Sequence, residues 1–175
     1  GLGDVYKRQE LGFDVEKNTY EVAKKNAWRV KDIAVERIRD ELEKIFVADT
    51  KHPELNLKDA HVRGLRMLDD LGLVDMLLPE LASLKGLEQP KKYHIYDAYE
   101  HTVKAFECAP PRLRFAALLH DIGKAESIKS TGNMHSHAQI GAELADGICK
   151  RFKLPNSERK RLVKIVALHM TDVKG

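Results

Sequence analysis

The chain is short of cysteine, of long apolar runs and of charge of one sign, and each shortage excludes a class of protein. Cys108 and Cys149 are the two cysteines among 175 residues, and they form no Cys-x-x-Cys pair. Neither a disulfide framework nor a thiolate-ligated zinc site is therefore expected. No apolar stretch approaches the roughly 20 residues that span a bilayer, and no basic segment leads into an apolar core near the N-terminus. A cytoplasmic protein without a membrane partner is the expectation. The net charge of +3, from 30 basic and 27 acidic residues, permits nucleic-acid binding without requiring it. No window alternates as a strand does, and neither an internal repeat nor a low-complexity tract is present.

What remains is helical patterning. Residues 1–9 show no apolar period and read as a junction segment foreign to the sequence that follows. Helices are expected over 18–28 and 31–47, with Val35, Ile38, Leu42, Ile45 and Phe46 forming one buried stripe. A loop containing Pro53 leads to a helix over 58–69 and a turn at Leu71-Gly72; Leu73 to Leu84 then reads as two short helices split at Pro79. Composition changes near residue 90, and four helices are expected beyond it, at about 94–107, 111–121, 137–152 and 157–170. Ser127 to Met134 reads as a polar loop between the second and third of these. The fold class is all-α.

The chemistry concentrates at Leu118-Leu119-His120-Asp121-Ile122-Gly123-Lys124. An apolar helix delivers an imidazole and a carboxylate at its C-terminal end. Gly123 is expected to let the backbone turn away, and Lys124 brings a positive charge for an anionic substrate. Three further histidines point inward by helical spacing. His137 lies three residues before Ile140 and seven before Leu144, His169 lies four after Ile165 and three after Val166, and His101 lies three after Ala98. A lone inward histidine is ordinarily a core residue hydrogen-bonded to a carbonyl. Several of them with a carboxylate are different, because burying each without a partner costs about 1–3 kcal/mol and a divalent cation satisfies all at once. Histidine and aspartate without thiolate suit Mn, Fe, Co, Ni or Zn, and Mg where water adds ligands. His135 faces elsewhere and lines the site at most; His52 and His61 have no partners in the sequence pattern. Lys24, Lys25, Arg29, Lys31, Arg37 and Arg39 offer a basic face for phosphate contacts, although each alone is as readily a solvated surface charge.

These residues resemble the HD superfamily of metal-dependent phosphohydrolases, whose pattern is a histidine, a later His-Asp pair and a distant aspartate. In that resemblance His101, His120 and Asp121 are metal ligands, and His137 and His169 are similar to the extra histidines of members that bind two ions. Flanking sequence narrows the likeness. Val35-Glu36-Arg37-Ile38-Arg39-Asp40-Glu41-Leu42, Leu71-Gly72-Leu73, Leu77-Leu78-Pro79-Glu80-Leu81 and Tyr93-His94-Ile95-Tyr96-Asp97 with Glu100-His101-Thr102 resemble bacterial tRNA nucleotidyltransferases and poly(A) polymerases. In that family they run from an RNA-binding region into an attached HD domain. The resemblance implies an RNA-binding-like region over 10–90 and an HD domain over 91–175, with one or two divalent ions.

The same resemblance implies departures. The family's catalytic head, with its glycine turn and paired carboxylates, is not recognisable here. Asp14-Val15-Glu16 has the spacing without the turn, so a missing nucleotidyltransferase head and no nucleotide addition are expected. The last aspartate of the HD pattern is expected beyond the chain's end, with Asp172 a weaker substitute. The implied activity is hydrolysis of a phosphomonoester or 2′,3′-cyclic phosphate on a nucleotide or RNA end, with Asp121 and Lys124 as catalytic groups and tRNA as the partner of the full-length enzyme. Two alternatives stay open: a non-catalytic tRNA-binding body with a vestigial HD site, and a free-standing nucleotide phosphohydrolase.

Overall fold

The computed structural model describes residues 32–51, 53–55, 57–88, 97–133 and 135–173. Helices and short turns account for its regular structure, with no strand among the described residues. The expected helix over 18–28 lies outside them, as do Lys24, Lys25, Arg29, Lys31, His52 and the side chain of Asp172. No helix among the described residues is long and apolar enough to cross a membrane. Two compact units divide between Leu77 and Leu78.

In the first unit, α1 (Asp32–Phe46) buries the expected stripe of Val35, Ile38, Leu42, Ile45 and Phe46. Each such side chain fully removed from water contributes roughly 1.5–3 kcal/mol, which fixes this face of the helix inward. Its other faces carry mixed charge: Arg37 is exposed, and Arg39 lies 3.5 Å from Asp40. Two 3₁₀ turns, Ala48–Thr50 and Pro53–Leu55, lead to α2 (Ala60–Asp70) and α3 (Leu73–Leu77). His61 of α2 is buried, with Asp49 Oδ2 3.7 Å from its Nδ1. The sequence pattern assigned His61 no partner. The acidic neighbour comes from a 3₁₀ turn whose position the pattern did not reveal.

The second unit begins with α4 (Pro79–Ala82), so the expected break does fall at Pro79. Residues 84–87 are bonded to the start of α5 (Ala98–Cys108): the Gly86 N–H donates to Asp97 Oδ2 at 2.9 Å, and the Ala98 N–H to the Leu87 carbonyl at 2.9 Å. Asp97 also caps α5, its Oδ1 accepting the Glu100 N–H at 2.7 Å. A 3₁₀ turn at Pro111–Leu113 precedes α6 (Arg114–Leu119), and α7 (Lys124–Thr131), α8 (His137–Arg151) and α9 (Asn156–Val173) follow. The core includes Ala116 of α6, Cys149 of α8 and Leu162 of α9, with Phe115, Leu154 and Ile165 packed around them. Arg151 at the end of α8 makes a two-pronged bridge to Glu80, at 2.8 and 2.9 Å.

One expectation fails here. Lys124–Thr131 is a helix, where Ser127 to Met134 was expected to be a loop. Its sequence has no apolar stripe to betray it. Hydroxyls bond within the turn instead, Ser130 Oγ to the Glu126 carbonyl at 2.9 Å and Thr131 Oγ1 to the Ser127 carbonyl at 2.7 Å. Gly132 then ends it in the left-handed region, φ 77°, with its N–H on the Ile128 carbonyl at 2.8 Å.

Candidate metal centre

Asp121 is the hub of the second unit. It follows the end of α6, is 3 % exposed, and meets side chains from four helices as well as its neighbour His120. Oδ2 lies 2.9 Å from Lys124 Nζ, 3.1 Å from His120 Nε2 and 3.8 Å from His101 Nε2. Oδ1 lies 3.5 Å from Nε2 of both His137 and His169. The ligand atoms fall into two groups that share this carboxylate: His101, His120 and Asp121, and Asp121, His137 and His169. In each group they lie within 4.8 Å of one another. The first group is the more exposed, with His101 and His120 side chains at 32 % and 19 % against 5 % and 13 % for His137 and His169.

Local backbone geometry sets the histidine tautomers. His120 Nδ1 lies 2.5 Å from the Ala117 carbonyl and His169 Nδ1 2.6 Å from the Val166 carbonyl. A carbonyl accepts only, so each Nδ1 carries the proton and each Nε2 keeps its lone pair turned toward Asp121. That is the orientation a metal-ligating histidine needs. The Nε2 atoms of His137 and His169 are 3.2 Å apart, a close approach of two acceptor-capable atoms that a shared proton or a cation resolves. Burial opposes ionisation of Asp121, but hydrogen bonds from His120, His137 and His169 outweigh it and hold the carboxyl well below the usual carboxylate range. Burial likewise disfavours a charged His120, yet the hydrogen bond and the charge of Asp121 raise its pKa on balance.

The role of Gly123 differs from expectation. Its φ is −78°, an ordinary value, so the turn does not require glycine. Space does: a Cβ there would overlap the His137 carbonyl oxygen and come within 2.5 Å of the Gly141 amide nitrogen. The first turns of α8 therefore lie directly on the backbone that follows Asp121, which brings His137 to the carboxylate. Nothing in the sequence spacing revealed this contact. The orienting carbonyls of Ala117 and Val166 were also missed, although both sit three residues before the histidine they fix.

The structure thus brings together His101, His120, Asp121, Lys124, His137 and His169. His135 is apart from the two ligand groups: it is exposed, and its amide donates to Asn133 Oδ1 at 2.9 Å. Arg37 and Arg39 lie on α1 in the first unit.

An all-helical unit with a His-Asp pair at its centre is what an HD domain looks like, and residues 89–175 match the HD domain family. Residues 12–85 match the family described as "Probable RNA and SrmB- binding site of polymerase A". An A-adding tRNA nucleotidyltransferase of Deinococcus radiodurans is 36 % identical over 180 residues, 93 % of this chain and 39 % of that protein. Multifunctional CCA proteins of Teredinibacter turnerae and Vibrio cholerae are 31 % and 30 % identical, covering 91 % and 93 % of the chain and 38 % and 40 % of their own lengths. The chain belongs to the tRNA nucleotidyltransferase family, as an RNA-binding region followed by a domain of the HD superfamily. It spans about two fifths of the length of these relatives.

Two glycines of α8 and its neighbour give a paired test of the packing that builds the centre. Gly123→Ala should lower unfolding free energy by about 1–3 kcal/mol through overpacking. Gly147→Ala, where a Cβ meets nothing within 4 Å, should raise it by up to about 1 kcal/mol. Urea denaturation followed by circular dichroism measures both; equal effects would mean that α8 does not rest on Gly123.

Proposed function

We propose that the HD domain is a metal-dependent phosphohydrolase acting on phosphomonoesters or 2′,3′-cyclic phosphates of nucleotides or RNA ends. The observation that carries this reading is Asp121, one buried carboxylate whose two oxygens face two separate groups of imidazole nitrogens. The donor set fits a divalent cation. It consists of imidazole nitrogen and carboxylate oxygen without thiolate, with Nε2 lone pairs of His120 and His169 fixed toward the site. That chemistry suits Mn, Fe, Co, Ni or Zn, and Mg with added water. One or two such ions, held by His101, His120, Asp121, His137 and His169, supply charge for a phosphate oxygen and lower the pKa of a water.

The protein's own groups do the rest. Asp121, kept ionised, accepts a proton from the water that attacks phosphorus. A new P–O bond forms, the bond to the leaving oxygen breaks, and that oxygen takes up a proton. Lys124 places its ammonium beside Asp121, where it offsets the negative charge that grows on the phosphoryl oxygens. Ala117 and Val166 carbonyls keep two imidazoles from turning away.

The region before the HD domain is proposed to bind tRNA. Support comes from the family match over residues 12–85 and from the printed names of the relatives. Among its described basic residues, Arg37 is exposed and the stronger candidate for a phosphate contact, since Arg39 is already beside Asp40.

Two measurements follow. Purified protein should release product from 2′,3′-cyclic AMP or p-nitrophenyl phosphate when given Mn, Ni, Co or Mg, and Asp121→Ala should lower that rate by about a hundredfold or more. Release without metal stimulation, or release that survives the substitution, would contradict the phosphohydrolase reading. Binding of unmodified tRNA transcript, followed by filter retention, should weaken linearly in log–log form as salt rises. Binding that ignores salt would contradict the phosphate-contacting role.

A further inference from the structure

We propose that Lys124 keeps the more exposed histidine group closed to a second cation until an anion draws its ammonium away, coupling full metal loading to phosphate binding. This rests on the metal-site reading above and adds an order of events to it.

The two oxygens of Asp121 are not equivalent. Oδ1 faces the imidazoles of His137 and His169, each at 3.5 Å. Oδ2 has three neighbours, and the nearest is not an imidazole but the Lys124 ammonium at 2.9 Å, ahead of His120 at 3.1 Å and His101 at 3.8 Å. An imidazole can present a lone pair to a cation; an ammonium has three donors and no lone pair. The His101, His120 and Oδ2 group therefore already holds a positive charge in the place an incoming ion would need. Screening is weak, because Asp121 is 3 % and Lys124 8 % exposed.

Lys124 cannot withdraw by moving its backbone. It is the first residue of α7, its N–H bonded to the Asp121 carbonyl at 3.1 Å, and the Ser127 N–H is bonded to the Gly123 carbonyl at 2.9 Å. Gly123 in turn is pressed against α8. Only the side chain can swing. A phosphate offers the ammonium another charged acceptor, and its departure releases Oδ2. The Oδ1 group needs no such exchange. It should fill first and without phosphate, while the Oδ2 group fills together with the anion.

Equilibrium dialysis of the whole chain against Mn²⁺, read by elemental analysis, tests this with and without inorganic phosphate. Wild-type protein should take up one ion tightly without phosphate, and phosphate should tighten a second by roughly tenfold or more. Lys124→Met and Lys124→Gln should take up both ions without phosphate. His137→Ala should lose the phosphate-independent ion. Two ions bound by wild type with affinities indifferent to phosphate would overturn the proposal, as would lysine variants that still need phosphate for the second. No bound ion under either condition would overturn the metal-site reading itself, and the proposal with it. The wild-type comparison needs no variant, so a lysine variant that fails to fold leaves the test intact.

Discussion

A carboxylate removed from water must be met by positive charge or hydrogen-bond donors, and at Asp121 that demand organises the whole second unit. An uncompensated buried carboxylate would cost several kcal/mol, comparable to the entire stability of a small domain. Its partners come from α5, from the end of α6, and from the starts of α7 and α8 and the far part of α9. The helices are thus held at one point by polar contacts, while apolar packing of residues such as Ala116, Cys149 and Leu162 holds them elsewhere. Removing Asp121 would leave imidazoles and an ammonium crowded together, so the centre is a structural knot as well as a site.

Close packing makes that knot attainable. Gly123 and Gly141 let the backbone after Asp121 and the first turns of α8 approach nearer than side chains would allow. His137 reaches the carboxylate because of this contact. The chemistry and the packing are therefore inseparable at Gly123, a residue that carries no functional group.

Sequence periodicity revealed what periodicity governs. The stripe on α1 and the inward positions of His101, His137 and His169 follow from apolar residues spaced three and four apart. Two failures have physical causes. Lys124–Thr131 lacks an apolar stripe and is stabilised by hydroxyl-to-carbonyl bonds and a left-handed glycine, none of which periodicity detects. Gly123 was assigned to a turn because glycine commonly serves left-handed turns, whereas steric exclusion by α8 is a tertiary property that local sequence does not encode. The pairing of His61 with Asp49 depends likewise on a 3₁₀ turn between distant positions.

The functional account rests on whether a divalent ion belongs between Asp121 and its histidines. Crystals grown with Mn²⁺ and measured at wavelengths where it scatters anomalously would decide it. The account predicts an anomalous peak about 2.0–2.3 Å from Asp121 oxygen and from Nε2 atoms of the surrounding histidines. A map of metal-supplemented protein with no peak beside Asp121 would contradict it.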